Sequence, residues 1–244
     1  MLAVELNGGL GNQLFQLAAA ETIAAETGRT FSIVNATSPT TVHSDRNYFT
    51  SVLAEWATCP RLPNPFTTVV EPSFEKQTWD GLPEGNVCLS GYFQNWRYVP
   101  RDFGRRLRLP PCEPLSGAFL HIRGGDYVKH WLHDVGLARR YYQRAIERFP
   151  AGTHFYVFTN DVPYAKTLRC LDSVPHSFVD ADEASALAQM AACSEGGICA
   201  NSSFSWWGAY LNPMRTIVLP DTWFTSGGFH TEGYYFPGVQ RCAV

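Results

Sequence analysis

Two stretches of this chain gather charged and hydroxyl side chains at a spacing that suits ligand chemistry. In His121-Ile122-Arg123-Gly124-Gly125-Asp126-Tyr127 a cation, two glycines and a carboxylate share one short run. A guanidinium fork matches pairs of phosphate oxygens, glycines leave room for a ligand to approach the backbone, and Asp126 could take up a proton. The same heptapeptide would also suit a structural Arg–Asp pair beside a glycine turn. Asn201-Ser202-Ser203-Phe204-Ser205-Trp206-Trp207-Gly208-Ala209 supplies an amide, three hydroxyls and two indoles. Hydroxyls and the N–H groups of a helix start suit a diphosphate, whereas indoles suit packing or sugar stacking. Adjacent tryptophans cannot face the same way on a helix, so at least one belongs to the core.

Three further runs are more ambiguous. Asn7-Gly8-Gly9-Leu10-Gly11-Asn12-Gln13-Leu14-Phe15-Gln16 joins a strand-like segment to a helix through a glycine-rich turn. Such a turn either aims backbone N–H groups at a phosphate or sugar hydroxyl, or only permits tight turning and close helix packing. Its spacing is not Gly-x-Gly-x-x-Gly, and no acidic residue directly follows the second strand, which disfavours a nicotinamide enzyme. In Phe158-Thr159-Asn160-Asp161 the last two residues read first as helix caps. Asp180-Ala181-Asp182 has the Asp-x-Asp form of a divalent-metal site, a string that any acidic pair before a helix also produces.

The elements that position these runs follow from periodicity. Leu2-Ala3-Val4-Glu5-Leu6 reads as a strand, residues 12–27 as a helix ending against Gly28, and Thr30-Phe31-Ser32-Ile33-Val34 as a second strand, making one β-α-β unit. From 37 to 86 the periodicity is weak. Val87-Cys88-Leu89-Ser90 then reads as a buried strand leading into the aromatic turn Gly91-Tyr92-Phe93-Gln94-Asn95-Trp96. Three prolines in Leu109-Pro110-Pro111-Cys112-Glu113-Pro114 mark a linker between halves 1–110 and 111–244. Beyond it strands are expected at 117–122, 154–158, 177–179, 197–200 and 216–219, alternating with helices in a doubly wound parallel sheet. Ligands of such sheets lie beyond the strands' carboxyl ends, which directs attention to 123–127, 159–161, 180–183 and 201–207.

Composition narrows the class. A chain of 244 residues with 45% hydrophobic content can bury a substantial core. Nineteen Lys and Arg against 22 Asp and Glu, a net charge of −3, argue against a general nucleic-acid binder. Arg105-Arg106-Leu107-Arg108 and Arg139-Arg140 read as solvated faces. The first residues lack the pattern of a signal peptide, and no window reaches the ~18 apolar residues of a membrane span. Seven scattered cysteines without a Cys-x-x-Cys pair suit free thiols in a reducing compartment, and a cytoplasmic location is expected. Asn35-Ala36-Thr37 and Asn201-Ser202-Ser203 match the glycosylation pattern, without meaning as acceptors in such a compartment.

Taken together, the glycine-rich run at 8–16, the 121–127 heptapeptide and the 201–209 run resemble the α-1,2-fucosyltransferase family, glycosyltransferase family 11. Smaller echoes are Gly91-Tyr92-Phe93-Gln94, Tyr141-Tyr142 before Ala145-Ile146, and Asn212 followed by Ile217-Val218-Leu219-Pro220 and Trp223-Phe224. The resemblance implies an α/β, GT-B-like fold of two Rossmann-like halves with parallel sheets facing a central cleft. In it the N-terminal half serves the acceptor and the C-terminal half the nucleotide-sugar donor. It implies inverting transfer of L-fucose from GDP-β-L-fucose to the 2-hydroxyl of a galactose-like acceptor, with no cofactor and no obligatory metal. Arg123, Asp126 and His121 are then the catalytic candidates: Arg123 for the departing diphosphate, Asp126 for activating the acceptor hydroxyl, His121 supporting the loop or nucleotide. Gly9, Gly11, Asn12, Gln13, Arg123, Asn160, Asp161, Asn201, Ser202, Ser203, Phe204 and Ser205 are expected to bind the donor. Gln16, Tyr127 and His133 are expected on the acceptor side.

The chain departs from the family pattern His-x-Arg-Arg-Gly-Asp at Gly124, which removes one cation. It departs again at Ala186, where a carboxylate associated with purine recognition commonly stands; Asp182 or Glu183 could substitute. It is also short for the family, so trimmed acceptor-side elements are expected. The alternatives are a glycosyltransferase using another nucleotide sugar, including a metal-dependent one built on Asp180 and Asp182, and a nucleotide-sugar or glycan-binding protein without catalysis.

Overall fold

The computed structural model describes residues 1–34, 47–130, 132–133, 135–212, 215–225 and 229–244; the Asn35-Ala36-Thr37 acceptor pattern lies outside them. The chain divides into two compact units, Met1–Leu109 with Glu232–Tyr234, and Pro110–Thr231 with Tyr235–Val244. Among the described residues no helix is long and apolar enough to cross a membrane. All seven cysteines are free, with Cys88, Cys193, Cys199 and Cys242 buried.

In the first unit, β1 (Leu2–Val4) is wholly buried and leads into α1 (Leu10–Glu26), most of whose residues are buried as well. The helix closes as expected near Gly28: the amides of Gly28 and Arg29 return to the carbonyls of Ala25 and Ala24, satisfying groups that a helix end otherwise orphans. The expected second strand at 30–34 is reduced to two isolated parallel bridges, Phe31 with Leu2 and Ile33 with Arg61. Its backbone turns from one neighbour to the other: the Ser32 amide donates to Leu2, and the Ile33 amide to Pro60. The ladder instead comprises β2 (Thr67–Val70) and β3 (Val87–Ser90) in the parallel order β1-β3-β2. β2 is an exposed edge strand, which is why its residues lack a buried strand's signature. The expected turn at 91–96 leads into a short 3-10 turn over Trp96–Tyr98, capped by the Asn95 side chain.

The second unit is built on six parallel strands: β4 (Ala118–Ile122), β5 (Phe155–Thr159), β6 (His176–Phe178), β7 (Gly196–Ile198), β8 (Thr216–Pro220) and β9 (Gln240–Cys242). The first five fall where the apolar runs placed them. β9 was not expected, being three residues long and mostly exposed. Helices α3 (Val135–Ile146), α4 (Val162–Ala165), α5 (Glu183–Ala192) and α6 (Ser203–Tyr210) make the crossovers, while the short α2 (Phe103–Arg106) belongs to the first unit. The strand order is β6-β5-β4-β7-β8-β9. Numbered within the unit this is 3-2-1-4-5-6, the order of dinucleotide-binding sheets, and its direction reverses between β4 and β7.

Strand alternation sorts β4 between two faces. Ala118, Leu120 and Ile122 join Tyr141, Tyr142, Ala145 and Ile146 of α3 in one buried cluster. Phe119 and His121 point to the opposite face, where Phe204 of α6 stands 5.9 Å from the His121 ring. The tyrosines of α3 also tie the strands' carboxyl ends together. Tyr142 donates to the His121 carbonyl at 3.0 Å, and Tyr141 donates to the carbonyls of Cys199 (2.6 Å) and Val218 (3.1 Å). Across the sheet the buried Asn212 amide donates to the carbonyls of Met190 and Cys193, closing α5.

Replacing Tyr142 with Phe leaves the buried His121 carbonyl without its side-chain donor. The expected loss is about 1–2 kcal/mol, read as a lower urea midpoint at unchanged m-value; an unchanged midpoint would show that this hydroxyl does not hold the sheet end.

Candidate active site

The crevice of a doubly wound sheet opens where neighbouring crossovers leave in opposite directions, because no helix then covers the strands' carboxyl ends. Here that point lies between β4 and β7. The residues just beyond those two strands are Arg123 to Tyr127 and Asn201 to Ser205, the two runs singled out by their chemistry.

Arg123 leaves the end of β4 and its Nη2 donates to Asp126 Oδ1 at 2.8 Å; the two side chains are 25% and 42% exposed. Its Nε is buried and has no hydrogen-bond partner. The guanidinium also lies 4.9 Å from the centre of the Tyr127 ring. The structural Arg–Asp pair and the ligand reading are therefore compatible: one edge of the fork positions the arginine while the buried Nε–H awaits an acceptor.

Two side chains from the end of β5 brace this loop. Asn160 Oδ1 accepts from the Gly124 amide at 2.9 Å, and Asp161 Oδ2 accepts from the Gly125 amide at 3.0 Å. Asp161 Oδ1 simultaneously caps α4 through the Tyr164 amide at 3.0 Å. Donor contacts were expected of this pair, and their polar atoms hold the loop's own backbone. Gly124 is where the family pattern carries its second arginine, and the packing explains the glycine. A Cβ there would stand 2.7 Å from Asp161 Cβ and 2.9 Å from Tyr164 Cδ1.

Beyond β7 the Ser202 side chain makes no cap bond to α6 although it occupies the N-cap position. The first N–H groups of a helix have no intrahelical acceptor, and they carry its positive dipole end. Ser202 and Ser203 thus sit at an anion-binding terminus. Ser205, also expected to bind the donor, is fully buried, and its hydroxyl donates to the carbonyls of Ala200 and Ser202. Trp206 and Trp207 are both fully buried, Trp206 stacked on Tyr210 at 4.9 Å. Both indoles are core, and neither is available for sugar stacking.

Asn201 connects the two loops. Its Nδ2 donates to His133 Nδ1 and to the Trp223 carbonyl, each at 3.0 Å. His133 in turn stacks on Tyr127 at 3.9 Å with an interplanar angle of 7°. A continuous set therefore runs from Arg123 through Tyr127 and His133 to Asn201. Its aromatic flank is His130 at 5.0 Å and Phe224 at 5.7 Å from His133; the contact with Phe224 escaped the sequence reading, since residues so far apart along the chain carry no local pattern.

His121 and His133 are held neutral. Burial, reinforced by the Arg123 charge, lowers the pKa of His121 to about 3, and its Nδ1 is buried without a partner. Burial likewise lowers His133 to about 4, with His130 and Arg123 acting in the same direction and Asp126 opposing. His121, expected among the catalytic residues, is thus an enclosed neutral ring beneath the site. Asp182, of the Asp-x-Asp run, caps α5 by accepting from the Ser185 amide at 2.9 Å.

In the first unit the glycine-rich turn is braced from within. Gly8 has φ +73°, and a Cβ on it would stand 2.4 Å from Asn12 Nδ2. Gly9 is the N-cap of α1, and Gly11 is buried in its first turn. Gln13 donates to the Gly8 carbonyl at 2.9 Å. Gln16 accepts from the Asn7 amide at 3.0 Å and donates to the Gly91 carbonyl at 2.9 Å. Asn12 Oδ1 accepts from Gln94 at 2.7 Å, and Gln94 accepts from the Tyr234 hydroxyl at 2.6 Å. Donor or acceptor contacts were expected of Asn12, Gln13 and Gln16. The two glutamines are fully buried; Gln16 and Asn12 tie the start of α1 to the 91–94 loop, and Gln13 Oε1 is buried without a hydrogen-bond partner.

An all-parallel sheet in this order, with a cation and a helix start beyond the strands on either side of its switch point, defines a Rossmann-like unit. The chain belongs to glycosyltransferase family 11, whose model matches residues 115–238, and it is accordingly a glycosyltransferase. It is 35% identical over 127 residues to the O-antigen biosynthesis glycosyltransferase WbnK of Escherichia coli, an alignment covering 46% of this chain and 41% of that relative. It is 28% identical to an alpha-1,2-colitosyltransferase of Escherichia coli, covering 92% of each. Among solved structures it shares the GT-B-like fold of fucosyltransferase NodZ from Bradyrhizobium, with a TM-score of 0.51, 18% identity, and coverage of 87% of this chain and 93% of that one.

Gly124→Ala is expected to lower stability by about 1–3 kcal/mol through overpacking against Asp161 and Tyr164, measured by chemical denaturation; a neutral result would show that the β5 loop yields freely. Acid is expected to destabilise the second unit before its carboxylates titrate. Below the unfolded-state histidine pKa of about 6.5 the unfolded chain binds protons that native His121 and His133 refuse, so stability falls with pH from there. The denaturation midpoint should drop between about pH 6.5 and 5, and drop less in His133→Gln.

Proposed function

We propose that this protein transfers L-fucose from GDP-β-L-fucose, with inversion, to the 2-hydroxyl of a galactose-like acceptor. The observation that carries the reading is the meeting, at one switch point, of Arg123 with its buried unpartnered Nε and the α6 start that Ser202 leaves uncapped. In such a transfer the acceptor oxygen bonds to the anomeric carbon as the bond to the diphosphate breaks. Positive charge develops on the sugar ring and negative charge on the departing diphosphate. Arg123 and the N–H groups at the start of α6 are preorganised to meet that negative charge. Asp126, held at 2.8 Å by Arg123 and partly exposed, takes the proton of the acceptor hydroxyl. The α-1,2 linkage is supported by family membership and by the linkage that the colitosyltransferase relative bears in its name.

That relative also favours a second reading, a donor carrying colitose in place of fucose. No divalent metal is required in either case, because a guanidinium and a helix terminus fill the role a metal would otherwise play.

GDP should raise the melting temperature and UDP should not, with EDTA changing neither transfer nor binding; a GDP-insensitive protein would overturn the donor assignment. Offered fucose- and colitose-linked donors with a galactoside acceptor, the enzyme should release nucleotide fastest from GDP-fucose. Arg123→Ala should cost at least about 2.7 kcal/mol of transition-state stabilisation, a hundredfold or greater loss of turnover, in a protein with an unchanged circular dichroism spectrum. Near-normal turnover would remove Arg123 from the diphosphate site.

A further inference from the structure

The Asn201–His133 contact has directional content. The Trp223 carbonyl can only accept a hydrogen bond, so the group Asn201 presents to it at 3.0 Å is the amide NH2. The same Nδ2 faces His133 Nδ1 at 3.0 Å, so that ring nitrogen must be the unprotonated one. We propose that Asn201 is a positioning residue that fixes His133 as a neutral imidazole protonated on Nε2, making His133 a hydrogen-bond donor to phosphate or sugar oxygens bound at this site. The ring orientation is set separately by the stack on Tyr127, so Asn201 governs which nitrogen holds the proton while Tyr127 governs where the ring lies.

The surroundings favour the same state. Arg123 and His130 oppose a positive charge on His133, Asp126 favours one, and burial outweighs both. A neutral donor suits a place that already holds a guanidinium: it adds a directional N–H without a second cation. The tautomer follows from protein geometry alone, whereas the identity of the acceptor oxygens rests on the nucleotide-sugar reading given above.

Nitrogen-15 spectra of the full-length protein, labelled at histidine and recorded without ligand, read the tautomer directly, with the His133 signals assigned by their loss in His133→Gln. The expected spectrum shows an unprotonated Nδ1 and a protonated Nε2 throughout about pH 5.5 to 8, without the titration near 6.5 of an ordinary histidine. A protonated Nδ1, or an ordinary titration, would overturn the assignment. Asn201→Asp exchanges a donor for an anionic acceptor and should move the proton to Nδ1 and the midpoint from about 4 to above about 6. Asn201→Ser, whose hydroxyl can donate or accept, should populate both tautomers, and an unchanged tautomer in whichever variant folds counts against Asn201 as the determinant. For the ligand, His133→Gln, which restores an N–H near Nε2, should bind GDP within about threefold of wild type, and His133→Phe about tenfold more weakly, the effect of one hydrogen bond. Equal GDP affinity in His133→Phe would overturn the donor role. Failure of the wild type to bind GDP would overturn the nucleotide reading together with that role, while the ligand-free spectrum still decides the tautomer.

Discussion

The ladder between β4 and β7 is the constraint on which the rest of the second unit depends. Parallel strands need long crossovers, and crossovers of one handedness wind to opposite sides of a sheet only when the chain returns past its first strand. Placing β7 beside β4, with Ala118 against Gly196 and Leu120 against Ile198, makes that return and leaves the carboxyl ends of both strands uncovered. The α3 tyrosines then keep the opening in shape. They donate to carbonyls near the end of β4, just past β7 and in the middle of β8.

The electrostatics of the opening follow from its burial. Arg123 is the cation at its edge, its orientation set by Asp126 and by the Tyr127 ring. The two histidines nearby remain uncharged because burial penalises the imidazolium and the arginine repels it. Asp161 and Tyr164 fill the space beside Gly124, and the Asn160 and Asp161 side chains accept from the loop's backbone amides. Rigid placement of one donor is what stabilises charge appearing late in a reaction, since no reorganisation is then needed.

The first unit uses the same physics for another end. A glycine turn opening a helix resembles a phosphate cradle; here the Gln13 amide donates back to Gly8 within the turn, while Asn12 and Gln16 join the start of α1 to the Gly91 and Gln94 loop. The Gln16 and Asn12 bonds span 75 and 82 residues of sequence, whereas the buried Gln13 Oε1 and Asn7 Oδ1 of the same run have no hydrogen-bond partner.

Much of this protein was determined by local sequence. Strands β3, β4, β5 and β8 declare themselves as short apolar runs, because a largely buried strand needs them; the half-buried edge strand β6 and the glycine-rich β7 follow from the alternation of strands with helices. The helix cap at Asp161 is likewise set by residues a few positions apart. The two reactive runs could be placed beyond strand ends before any fold was known. What only the tertiary structure decided is which strands are neighbours, and hence that the ends of β4 and β7 share one opening. It also decided that both tryptophans are core, that Ser205 and Gln16 are enclosed, and that Asn201 meets His133. The edge strands β2 and β9 were decided there too, since exposed edges need no apolar signature. The reason is common to all of these: hydrogen-bond partners and burial are chosen among groups brought together from distant parts of the chain, and periodicity reports only which way a residue faces, not what it meets.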